Sequence, residues 1–163
     1  MEDICIMRWY KSTNPSTMKT NILSFLFLLF VAFTVKAQDE AAPKPVAPYS
    51  PSVMVNGTLY LSGQIPIVPE TGVMIKDDIK KATEQCMKNL GVLLKKHGMT
   101  HEDLVMVNIY MTDMDNYGAI NKVYAKFFPN KKFPARAAVQ IGRLPLNAIV
   151  EISGIAVKSK SED

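Results

Sequence analysis

Two cysteines, two histidines and one tryptophan in 163 residues leave little material for several chemistries. His97 and His101 have the spacing of a zinc pair, but Gly98 interrupts the helix between them and the sequence offers no third ligand nearby. No metal is expected. There is no Gly-rich phosphate loop and no Gly-x-Ser-x-Gly elbow, so nucleotide cofactors and a hydrolase triad lack support and no cofactor is expected. Charge of one sign is also missing: 19 cations against 15 carboxylates give +4. The pairs Lys80-Lys81, Lys95-Lys96 and Lys131-Lys132 have no aromatic interleaving. They read as solvated surface, and nucleic acid is not an expected partner.

A long membrane-spanning run is lacking too. Ile22 to Phe33 is apolar for about a dozen residues, well below the roughly 20 that a bilayer requires. Met18-Lys19 precede it and Val35-Lys36-Ala37 follow, the arrangement of a secretory signal peptide cut after Ala37. Residues 1–17 fit no signal region and read as an upstream extension, with 18–37 as the signal. Gln38, not a cysteine, follows the cut, so no lipid anchor is expected. Cleavage removes four cations (Arg8, Lys11, Lys19, Lys36) and two carboxylates (Glu2, Asp3), which lowers the charge from +4 to +2. Cys5 leaves as well, and Cys86 alone makes no intramolecular disulfide. The expected product is periplasmic or secreted, with no membrane attachment after cleavage.

Residues 38–46 carry Ala, Pro and charge without periodicity, a flexible leader, and 159–163 form a flexible tail around one domain at 47–158. Ser52–Val55 and Thr58–Ser62 flank Asn56-Gly57, the strongest short hairpin signal. Asp77-Asp78 cap a helix that runs to about His97 and stops at Gly98. On it Cys86 falls in register with Ile79, Ala82, Leu90 and Leu93, a core stripe. Leu104–Met111 alternates as a strand, and Asp115-Asn116 start a second helix reaching Phe128. There Tyr117, Tyr124 and Phe127 sit at helical spacing and read as core. Ala137–Ile141 and Ile149–Val157 are closing strands. The order ββαβαββ predicts an α+β domain with two helices on one face of the sheet, which leaves apolar surface in need of a partner.

Arg136, in Phe133-Pro134-Ala135-Arg136-Ala137-Ala138, and Glu151, in Ala148-Ile149-Val150-Glu151-Ile152, are the charges out of place. An unpaired charge in such a setting costs several kcal/mol, about enough to require a partner, a wet cavity or a ligand. The guanidinium fork suits a small carboxylate, and Glu151 suits the activation of a water. The competing reading is an ion pair across neighbouring strands.

These residues resemble the Rid family (YjgF/YER057c/UK114), in its RidA-like, imine-hydrolysing branch. The resemblance runs from Ala47 to Val157. It is carried by Ala47-Pro48-Tyr49-Ser50-Pro51, Leu61-Ser62-Gly63-Gln64-Ile65-Pro66, Asn121 with Tyr124 and Phe127-Phe128, Pro134-Ala135-Arg136, Leu144-Pro145 and Val150-Glu151-Ile152. It implies a chorismate-mutase-like fold, a homotrimer with clefts between subunits, and a cofactor-independent enamine/imine deaminase of the 2-iminobutanoate/2-iminopropanoate type. Such an enzyme turns imino acids such as 2-aminoacrylate into 2-keto acids and ammonia. Arg136 would hold the substrate carboxylate, Glu151 would act on the water, and the Ala138 peptide would bond the reacting end. Tyr49, Ser62, Gly63 and Asn121 match cleft-lining positions. Ala138 stands where some members have cysteine, and Ser153 where a second glutamate is common. The alternatives are an exported non-catalytic carboxylate-binding or holdase protein on the same fold, and a ribonuclease, which the charge pattern does not favour.

Overall fold

The computed structural model describes residues 47–158. The expected upstream extension, the expected signal peptide with its cut after Ala37, the expected leader and the expected tail at 159–163 lie outside them. Five strands and two helices follow the expected order: β1 (Ser52–Val55), β2 (Thr58–Gln64), α1 (Ile79–Lys96), β3 (Leu104–Met111), α2 (Tyr117–Tyr124), β4 (Ala135–Gln140) and β5 (Val150–Val157). The strands form one mixed sheet in the order β1-β2-β5-β3-β4. All neighbours are antiparallel except β3 and β4, which run parallel around the crossover through α2. The sheet with two helices on one face is the chorismate-mutase-like arrangement.

Local chemistry sets the element ends. Asn56 and Gly57 both take positive φ, 50° and 78°, as a two-residue hairpin turn with matching twist demands. The Asp78 carboxylate caps α1 by accepting from the backbone N–H of Lys80 (2.9 Å) and Lys81 (3.1 Å). At the other end Gly98 turns the chain with φ 66°. The α1 stripe is buried as the periodicity requires, with Ala82, Cys86, Leu90 and Leu93 against Leu59, Val107, Ile109, Val150 and Ile152 of the sheet. Burial of each large aliphatic side chain there contributes roughly 1.5–3 kcal/mol. Burial also pushes the Cys86 thiol pKa up, so this cysteine is packing material.

Several boundaries differ from expectation, three elements by two residues or more. β2 runs on to Gln64 through an irregularity between Leu61 and Gln64. β4 starts at Ala135, two residues early, because Ala135 already pairs with Met106 of β3. The second helix ends at Tyr124, flanked by single 3-10 turns at Met114–Asn116 and Ala125–Phe127.

Side chains alternate across the sheet. Val107, Ile109 and Met111 point to the helices, whereas Met106, Asn108 and Tyr110 point to the open face. That face also exposes Val53, Tyr60 and Val139.

Candidate functional site

The register places Arg136 and Glu151 on opposite faces of the sheet. Arg136 of β4 sits opposite Val107, a core residue of β3, and so turns toward the helices. Glu151 of β5 sits opposite Tyr110 and between the buried Val150 and Ile152, so it turns to the open face. β3 lies between their strands. An ion pair across neighbouring strands is therefore ruled out within one chain, and among the described residues Arg136 has no carboxylate partner. Each charge has a cavity of its own.

The first cavity, about 390 Å³, is lined by Ala47, Tyr49, Ser62, Gly63, Ile65, Pro145 and Glu151. The irregularity in β2 makes it. Gln64 tucks its amide back, donating to the carbonyls of Ser62 (3.0 Å) and Gly63 (3.3 Å), and the Ser62 hydroxyl donates to the Ser50 carbonyl at 2.7 Å. Beyond the strand, the buried Asn89 of α1 donates to the carbonyls of Ile65 (3.2 Å) and Ile67 (3.0 Å), and this fixes the loop that supplies Ile65. The Glu151 carboxylate rests on Gly63 where any Cβ would overlap its Oε1. Burial raises the Glu151 pKa above the ordinary carboxylate value, which moves it toward the range of a proton-transferring group. Three of the residues picked from sequence, Tyr49, Ser62 and Gly63, thus gather around Glu151.

The second cavity, about 400 Å³, is lined by Asn121, Tyr124, Ala125, Phe133, Pro134 and Arg136. Two tyrosines of α2, seven residues apart and so on one helix face, hold the guanidinium. Its Nη2 donates to the Tyr117 hydroxyl at 3.2 Å, and its Cζ lies 4.9 Å from the ring centroid of Tyr124 and 5.7 Å from that of Tyr117. Stacking on aromatic faces orients the cation without consuming the rest of its donor fork, which stays available to a bidentate anion. Tyr124 packs in turn on Phe128 (4.9 Å between centroids), and Phe128 on Phe133 (5.6 Å). Asn121 joins Arg136 here as expected. Of the aromatics read from sequence as core, Tyr124 is buried in the core and Phe127 packs against it, as expected, while Tyr117 is the correction: it is exposed, and with Tyr124 it attends the guanidinium. Their spacing of seven was the available signal, but nothing in the sequence alone placed Arg136 opposite that face.

Ala138 lies two residues from Arg136 on the same face, its methyl packed against the core. β4 is an edge strand, so half of its backbone donors and acceptors face away from β3. His97, at the C-terminal end of α1, shares a 3.1 Å hydrogen bond with the Ser52 hydroxyl. His101 is half-buried elsewhere, with Nε2 2.9 Å from the Met87 carbonyl. No group of three or more potential metal ligands occurs among the described residues.

The endoribonuclease L-PSP family matches residues 39–158. A RutC family protein of Pyrococcus horikoshii is 42% identical over 119 residues, covering 73% of this chain and 94% of that protein. Reactive Intermediate Deaminase A, a chloroplastic protein of Arabidopsis thaliana, is 38% identical over 135 residues, 81% of this chain and 72% of that one. The crystal structure of Escherichia coli TdcF with bound serine superposes with a TM-score of 0.69 at 31% identity, over 74% of this chain and 95% of that one. The chain belongs to the endoribonuclease L-PSP family, whose members include the Rid and RutC proteins.

Proposed function

We propose that this protein is a hydrolytic deaminase of small 2-imino acids, the enamine/imine tautomers of species such as 2-aminoacrylate, and that it releases 2-keto acids and ammonia. The observation that carries the reading is Arg136: a guanidinium oriented by two tyrosines at the wall of a cavity, with no carboxylate partner among the described residues. Such a group suits a small carboxylate ligand. The relative solved with bound serine also holds a small amino acid.

The reaction needs a water, a carbon held close to it and a site for one proton. Arg136 fixes the carboxylate and so positions the adjacent imine carbon. Water adds to that carbon, and Glu151, with its raised pKa, takes the water's proton and delivers it to the nitrogen. The carbinolamine then expels ammonia, and the carbonyl forms with no net change in the enzyme. The Ala138 peptide on the free edge of β4 is the proposed backbone contact at the reacting end.

Because Arg136 and Glu151 lie on opposite faces of one sheet, the proposal requires two copies of the chain, one bringing the Arg136 cavity to the other's Glu151 cavity. The apolar open face, with Val53, Tyr60 and Val139 exposed, favours the same assembly, a homotrimer. The test is 2-keto acid release from freshly generated 2-imino acids by residues 38–163, alongside light scattering. Turnover by a trimer supports the reading, and absence of turnover with retained carboxylate binding favours a binding protein instead.

A further inference from the structure

Among the described residues only two buried side-chain polar atoms lack a hydrogen-bond partner, the Tyr124 hydroxyl and the Asn121 Oδ1. Both belong to α2, three residues apart and so one turn from each other on one face, and both residues line the Arg136 cavity. Tyr124 is only 3% exposed, so its hydroxyl is largely removed from bulk solvent. A buried hydroxyl with no partner costs about 1–3 kcal/mol. A phenylalanine would keep the ring packing on Phe128 and the stacking under Arg136 without that cost. The hydroxyl therefore contributes nothing to the fold of the single chain, and its place beside a cation points to an anion as its missing partner.

We infer that Tyr124 is a ligand-reading residue: its hydroxyl donates to the carboxylate gripped by Arg136, a third donor on that anion beyond the guanidinium fork, with the Asn121 amide beside it for a polar group next to the carboxylate. A carboxylate has lone pairs to spare after a bidentate arginine contact, so the two donors do not compete. Burial raises the Tyr124 pKa to about 12, so the phenol keeps its proton at any physiological pH and serves as a donor. Conversion of an orphan donor into a charge-assisted bond on binding gives the site preference for carboxylates over neutral carbonyl compounds. This assignment rests on the deaminase reading of the cavity and deepens it.

The experiment compares the wild-type chain with Tyr124→Phe in melting temperature, oligomeric state, imino-acid kinetics, and calorimetric affinity for 2-oxobutanoate, a keto acid of the product class. The expected result is a melting temperature equal or higher in the variant, an unchanged assembly, and Kd and KM raised about tenfold, the size of one hydrogen bond to a charged group. Equal affinity and kinetics in the two proteins would overturn the assignment while leaving the deaminase reading intact. So would a variant that melts early or falls to a smaller assembly, since the hydroxyl would then belong to a subunit contact. A wild-type protein that binds 2-oxobutanoate without turnover leaves the affinity comparison decisive for Tyr124. One that neither binds nor turns over overturns both readings.

Discussion

The carboxylate of Glu151 occupies the space that a side chain on Gly63 would fill. Gly63 has no unusual φ, so its constraint comes from this contact and not from backbone conformation. Gly63→Ala is expected to leave the fold intact, because the neighbour that must yield is the end of a flexible side chain, but to push the acid from its position. Turnover on imino acids should fall by roughly 10- to 100-fold, the sensitivity of a positioned catalytic group to displacement by about 1 Å. The melting temperature should change little. Full turnover in Gly63→Ala would mean that the acid is not needed where the fold puts it.

Glu151 itself carries a pH signature. Its pKa is raised by burial, so folding favours the protonated form. Its contribution to stability is full below the ordinary value of 4.5 and is lost as pH rises through the folded pKa. Glu151→Gln removes that loss. The variant should match the wild type in melting temperature at low pH and exceed it at neutral pH, while turnover falls and carboxylate affinity stays level or tightens. Paired melting and kinetic profiles from pH 4 to 8 check both halves.

How far the sequence discloses this architecture depends on the range of the interaction. The Asn56-Gly57 turn, the Asp78 cap, the Gly98 stop and the Cys86 stripe are legible because a few adjacent residues decide them. Strand order is not. β4 and β5 are consecutive in the chain, yet β3 separates them, and Arg136 and Glu151 pair with β3 residues three apart, Val107 and Tyr110, which puts them on different faces. Their chemistry links the two residues as a pair, and only the register shows that one chain keeps them apart. Tyr124 is core, as its helical spacing indicates, but Tyr117 is not, because that spacing marks a shared face without saying what lies opposite it. Here the occupant is a guanidinium.

His101 supplies a second pH dependence, of opposite sign. Its ring fills the notch left by Gly91, where a Cβ would come within 2.8 Å of Cε1, and its Nε2 lies 2.9 Å from the Met87 carbonyl. It packs on Phe127 at 5.1 Å and Phe128 at 6.4 Å. Burial holds its pKa below the ordinary 6.5, so the folded state keeps it neutral, with Nε2–H as the donor to the carbonyl. Stability is full above pH 6.5 and declines as pH falls from there through the folded pKa. A Glu151→Gln background removes the opposing contribution. In it, melting temperature should drop between pH 7 and 5.5, and His101→Gln should melt lower at pH 7 with a flatter profile. Parallel profiles for the two proteins would show that His101 does not titrate in this window.

We propose that the chain is exported and that exported material begins at Gln38, a reading that treats Ile22 to Phe33 and Ala37 as a cleavable signal. Intact mass and N-terminal peptide analysis decide it. Retention of Met18 on exported protein would replace cleavage with anchoring.

Arg136→Lys separates charge from shape. A lysine keeps the positive charge but loses the planar fork, the donor to the Tyr117 hydroxyl and much of the stacking on Tyr124. If the site needed only a cation, the variant would remain nearly as active as the wild type. If it needs two parallel hydrogen bonds to a carboxylate, kcat/KM should fall by one to several orders of magnitude, each about 1.4 kcal/mol of transition-state stabilisation. Because Arg136 has no carboxylate partner among the described residues, no buried anion is stranded within the chain and the melting temperature should stay close to that of the wild type. A variant that melts early yet keeps its activity per folded molecule would move Arg136 from the site to the scaffold. One that melts normally and fails on carboxylate substrates would tie the guanidinium fork to the chemistry.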